Sequence, residues 1–153
     1  MKILVLGGRG MAGHMAVSYF RRTTRHEVVA TVRCAPSSGR EALSAAAGGR
    51  EIPLDVRRPE SVARVLLEER PDVVVNAVGV LNRKAEDHPL DAYLVNGMLP
   101  HWLAHLCDRF GARLIHISSD CVFSGARGGY REDDPPDGST VYARSKAMGA
   151  LKH

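Results

Sequence analysis

A chain of 153 residues, 44% hydrophobic and 25% charged, is long enough to bury a core as about one domain and too apolar to be disordered. No apolar run reaches the length of a membrane span, and the N-terminus goes straight into a strand-like run with no signal-peptide pattern, so a cytoplasmic protein with no membrane partner is expected. The formal charge of +4 comes from arginines scattered along the chain, not gathered into a basic tract with interleaved aromatics, so no nucleic-acid partner is expected either.

Cys34, Cys107 and Cys121 are odd in number and lack C-x-x-C spacing. Neither a disulfide framework nor a zinc site is indicated, and no metal is expected.

Ile3 to Leu6 read as a strand buried on both faces, and Gly7, Gly10 and Gly13 follow at G-x-x-G-x-x-G spacing. Gly7 allows a tight turn, Gly10 leaves the backbone open to a pyrophosphate, and Gly13 lets a new helix pack close. The first amides of that helix, over Ala12 to Arg22, would face the phosphates. Glycines at this spacing also join strands and helices that bind nothing.

Glu27 to Val32 is a β-branched second strand, completing a first βαβ unit. At its end Arg33 stands where an acidic residue would accept from the ribose of NAD and a basic one would suit the 2′-phosphate of NADP. NADP is therefore preferred, with NAD possible. A surface arginine without a ligand is the other reading. Pro36 to Gly49 reads as a loop with at most a short helix around Glu41 to Ala47. Glu51 to Leu54 is a short third strand closed by Asp55 and Val56, and Pro59 opens a helix through Glu69.

Asp72 to Val78 is a nearly continuous apolar strand, and Ala77, Val78 and Gly79 fall where a backbone passes close to a nicotinamide ribose. Leu81 to Pro89 reads as a polar loop. Leu90 to Phe110 has apolar residues at helical intervals, with a kink or break at Pro100 and a cap at Gly111. His101 and His105 lie four apart, and a structural pair is preferred to a metal site because no adjacent Glu supports one. Arg113 to Ser118 is the fifth strand, Ser124 to Ser139 a long Gly, Pro and Asp loop, and Thr140 to His153 a last helix.

Tyr142 and Lys146 are four apart on that helix, so their side chains share a face. A free phenol has a pKa of about 10, and lowering it by about three units takes roughly 4 kcal/mol, within reach of a neighbouring ammonium in a dry site. Ser119, at the end of the fifth strand, is placed to hydrogen-bond a substrate oxygen.

The segments GGRGMAGHM, HISSDCVFSG, GGYREDDPPD and YARSK resemble the extended short-chain dehydrogenases/reductases, in particular the dTDP-4-dehydrorhamnose reductase branch, over nearly the whole chain. The resemblance implies a Rossmann-type doubly wound parallel α/β sheet of about five strands with helices on both faces, formed by residues 1–153 as an NAD(P)-binding domain. It implies NADPH-dependent reduction of a nucleotide-linked 4-keto sugar, with Tyr142 as proton donor, Lys146 orienting the nicotinamide ribose and Ser119 holding the carbonyl. Gly7, Gly10, Met11, Gly13, Arg33, Asp55, Val56, Ala77, Val78, Gly79 and Asn96 would serve the cofactor, Asn96 as a family asparagine supporting the site. Cys121 stands where these reductases more usually carry tyrosine. Such enzymes also continue past the tyrosine and lysine, so most of the substrate-binding region is expected to be missing and the fifth strand to be an edge covered by a second copy or another partner. A non-catalytic nucleotide-binding or regulatory module is the alternative, since the same branch resembles the regulatory subunit of methionine adenosyltransferase.

Overall fold

The computed structural model describes residues 1–33 and 49–151, which divide into two compact units. The first comprises Met1–Val78 with Leu103–Ile117, the second Gly79–Trp102 with Ser118–His153. The short helix expected around Glu41 to Ala47 lies outside the described residues.

The first unit holds a five-stranded parallel sheet: β1 (Lys2–Leu6), β2 (Glu27–Val32), β3 (Glu51–Pro53), β4 (Val73–Asn76) and β5 (Arg113–His116), in the order β3-β2-β1-β4-β5. Ile3 lies opposite Val28 on one side and Val73 on the other, so β1 is central. Apolar runs without alternation make sense here because both faces are covered. Ile3, Val5, Val28, Ala30 and Val75 form one buried cluster with Val17 and Phe20 of α1 (Met11–Thr23), while Leu4, Leu6, Val29 and Val74 turn to the opposite face and are equally buried. The second helix, α2 (Pro59–Glu69), has Pro at its start as expected and buries Val62, Val65 and Leu66. This is the Rossmann-like fold the sequence led us to expect. Its strand order reverses between β1 and β4, where open α/β sheets bind ligands beyond the strand ends.

In the second unit the polar stretch read as a loop is in part a helix, α3 (Asn82–Asp87). Only Ala85 of it is buried, so no apolar period betrayed it. A longer helical run follows as α4 (Pro89–Ala92), a π-helical segment (Tyr93–Met98) and α5 (Leu99–Phe110), whose residues from Leu103 onward belong to the first unit. The expected disturbance at Pro100 is real, but it takes the form of a widened turn just before the proline, with the Leu99 amide donating to the Leu94 carbonyl. After a 3₁₀ turn (Asp120–Val122) and a long loop comes α6 (Val141–Met148), shorter than expected. It stops before Gly149, where a β-carbon would lie 1.9 Å from the Asn96 carbonyl oxygen. Among the described residues no helix is long and apolar enough to cross a membrane.

Candidate functional site

In the first unit the residues after β1 form a tight turn. Gly7 has φ +80°, and a β-carbon on it would touch Val78 Cγ2 at 3.0 Å and the Ala77 carbonyl oxygen at 3.3 Å. The turn is pinned to β2: the Gly8 amide donates to the Thr31 carbonyl at 2.9 Å, and the Gly7 amide to Thr31 Oγ1 at 3.3 Å. Gly8 has its own steric reason, since a β-carbon there would lie 2.6 Å from that of Ala30. Gly10 precedes α1 as its N-cap, with no side-chain cap, and a β-carbon on it would meet only the Gly7 carbonyl oxygen, at 3.3 Å. Met11, the first helical residue, is exposed. The first amides of α1 have no acceptor within the helix and carry its positive dipole end, so the turn offers donors to an anion.

Gly13 sits one turn into α1, against the Gly7 carbonyl. Ala77 and Val78 extend from β4 beside the turn, positioned by the Ala77 amide on Leu6 O at 3.1 Å and the Val78 amide on Asn76 Oδ1 at 3.2 Å. Arg33 is exposed at the end of β2. Asp55 follows β3 with Val56, and its carboxylate is engaged by Arg57: Nε and Nη2 reach it at 3.0 and 2.8 Å, and the Arg57 amide at 3.1 Å. The Arg57 side chain holds the Asp55 carboxyl at a pKa of about 2. Thr31 and Gly8 were not singled out from sequence. Thr31 in particular reads there as one more β-branched strand residue.

The second unit carries Ser119, Tyr142 and Lys146. Ser119 caps the 3₁₀ turn, its Oγ accepting from the Cys121 amide at 3.1 Å, which leaves its hydroxyl proton to donate elsewhere. Helix α6 starts at Thr140, whose Oγ1 accepts from the Ala143 amide at 3.0 Å. Glu86 of α3 accepts from the Val141 amide at 2.8 Å, placing a carboxylate at the positive end of α6. Tyr142 is half-buried and Lys146, one turn on, is 4% exposed. Burial pulls the Lys146 ammonium below its ordinary pKa of 10.5. At the far end, His101 Nε2 lies 2.7 Å from the Met148 carbonyl oxygen. Among the described residues no group of three His, Cys, Asp or Glu side chains is arranged to hold a metal.

Asn96 projects from the π-helical segment and is fully buried. Its Oδ1 accepts from the Val80 amide at 2.9 Å, and its Nδ2 donates to the Val80 carbonyl at 2.9 Å and to Ser145 Oγ at 3.0 Å. Gly79 lies beside it, where a β-carbon would be 3.5 Å from Asn96 Oδ1. The long loop is ordered by Asp137, which accepts from the Ser124 amide at 2.7 Å and from the Tyr130 hydroxyl at 2.9 Å, while Tyr130 stacks on Phe123. With Ser119 and Cys121 this loop lines an open groove.

A parallel sheet whose first strand ends in a glycine turn, in a chain that also carries a Tyr-x-x-x-Lys helix, makes this a Rossmann-like α/β protein. The chain belongs to the RmlD substrate binding domain family, whose model matches residues 1–151. It is 38% identical over 117 residues to a dTDP-4-dehydrorhamnose reductase of Burkholderia thailandensis, covering 72% of this chain and 39% of that protein. It is also 31% identical over 149 residues to methionine adenosyltransferase 2 subunit beta of Bos taurus, covering 97% of this chain and 41% of that one. A solved dTDP-4-dehydrorhamnose reductase from Bacillus anthracis, in complex with NADP, has a TM-score of 0.75 at 22% identity, with 97% of this chain and 47% of that one covered. The chain thus spans about two fifths of the length of these curated relatives.

Proposed function

We propose that this chain is the cofactor-binding and proton-donating part of an NADPH-dependent reductase of a nucleotide-linked 4-keto sugar. The observation that carries the proposal is Tyr142 one helical turn from Lys146, a lysine only 4% exposed. An ammonium held out of water favours a neighbouring phenolate, as a proton donor working near neutral pH requires. The family and the reductases among its relatives support the substrate class. Gly10, which carries no side chain at the start of α1, suits a diphosphate, and Arg33 at the end of β2 suits the 2′-phosphate of NADP.

A nicotinamide cofactor, whose diphosphate the amides after Gly10 would hold, would supply the hydride. The remaining chemistry falls to the chain. The Ser119 hydroxyl donates to the substrate carbonyl oxygen, Tyr142 gives its phenolic proton to that oxygen as the alkoxide forms, and Lys146 stabilises the phenolate left behind.

The test is NADPH oxidation with a dTDP-linked 4-keto sugar, comparing the wild type with Tyr142→Phe. Turnover abolished by the change supports the reading. Cofactor binding without turnover in the wild type overturns it in favour of a non-catalytic module.

A further inference from the structure

Ser145 is fully buried on α6, three residues after Tyr142 and next to Lys146. Its hydroxyl donates to the Tyr142 carbonyl at 3.0 Å and accepts from Asn96 Nδ2 at 3.0 Å. Serines inside helices often bond back to the preceding turn. What sets this one apart is the buried amide on its acceptor side, whose oxygen and second hydrogen both grip Val80. The backbone fits the same purpose. The π-helical segment turns Asn96 toward α6, Gly97 admits Met148, whose Sδ would lie 2.8 Å from an added β-carbon, and Gly149 admits the Asn96 carbonyl. A side chain at Gly149 would push α6 away from Asn96, because the obstacle there is backbone.

We infer that Ser145 is a positioning residue: through Asn96 it fixes the helix carrying Tyr142 and Lys146 at a set distance from the Gly79–Val80 backbone. Because Asn96 can donate only two hydrogens and Val80 takes one, loss of the Ser145 oxygen leaves a buried donor unpaired and frees the amide to turn. The Val80 backbone would loosen with it. The effect on turnover rests on the reductase reading; the effect on Val80 does not.

The experiment measures amide hydrogen exchange at Val80, with Val5 of the central strand as a control for global stability, together with NADPH oxidation, in the wild type, Ser145→Ala, Asn96→Ala and the double variant. Val80 exchange is expected to rise about tenfold in Ser145→Ala relative to Val5. The kcat is expected to fall about tenfold with KM changed less than about twofold, and Ser145→Ala is expected to add no further loss in the Asn96→Ala background. Ser145→Cys, similar in size and weaker in hydrogen bonding, gives an intermediate exchange rate and covers the case in which the alanine variant fails to fold. Val80 exchange unchanged relative to Val5, or losses that multiply in the double variant, overturns the inference. A wild type without turnover whose Val80 exchange still responds to Ser145→Ala overturns the reductase reading and upholds the positioning network.

Discussion

Gly13 and Gly7 are so close that a β-carbon on Gly13 would lie 2.2 Å from the Gly7 carbonyl oxygen and 2.8 Å from its carbon. The obstacle is backbone, which cannot swing aside as a side chain can. Gly13→Ala must therefore push α1 away from the turn, and a loss of about 2 kcal/mol is expected, as for overpacked cores. Urea unfolding of the two proteins measures it as a lower midpoint at unchanged slope.

The thiols separate by environment. Cys107 is 1% exposed, and burial raises its pKa to about 11, so little thiolate forms at neutral pH. Cys121 is exposed beside Ser119 in the open groove. Iodoacetamide labelling read by peptide mass spectrometry is expected to modify Cys121 in the native protein and Cys107 only after denaturation. A small reagent on Cys121 that slows NADPH oxidation would also place the substrate near the groove.

Lys146 makes stability depend on pH. Its folded pKa lies below 10.5 because burial disfavours the ammonium. Between the folded and unfolded values the unfolded chain holds more protons, so stability rises with pH across that window, and the penalty is felt in full below it. Urea midpoints taken from neutral pH to 10.5 should show this rise in the wild type. In Lys146→Met the contribution is absent, and NADPH oxidation is lost with it.

Strand β5 pairs only with β4 among the described residues, and Ile115 and Ile117 beside that edge are 44% and 40% exposed. An edge with exposed β-branched residues recruits further strands. Concentration-dependent light scattering is expected for the wild type, and Ile117→Lys is expected to reduce it severalfold without lowering the melting temperature.

The sheet was largely legible in the sequence because both faces of its strands are buried, which writes continuous apolar runs at β1, β2 and β4. The start of α2 was legible from Pro59, and its end at Glu69 was read correctly. What escaped depends on partners far along the chain. Helix α3 buries a single alanine and presents its Glu86 to the start of α6, 55 residues away. Thr31 matters through two bonds to the glycine turn, and Ser145 through a bond to Asn96, 49 residues away. No local pattern distinguishes such a serine from one on a solvated face. The spacing of Tyr142 and Lys146 was plain, whereas the burial of Lys146 became visible only in three dimensions.

The claim on which the account turns is that the amides after Gly10 hold a diphosphate. Gly10 has φ −72°, which any residue adopts, and an added β-carbon would lie 3.3 Å from the Gly7 carbonyl oxygen, a tight contact that a shift of a few tenths of an ångström in the turn relieves, while an Asp there supplies a good helix cap. The most direct measurement is calorimetric titration of NADPH into the wild type and this variant. The account predicts binding to the wild type and a loss of at least about a hundredfold in the variant, from like-charge repulsion, with cooperative unfolding of the variant showing that it remains folded. Equal affinity in a folded Gly10→Asp protein would contradict it.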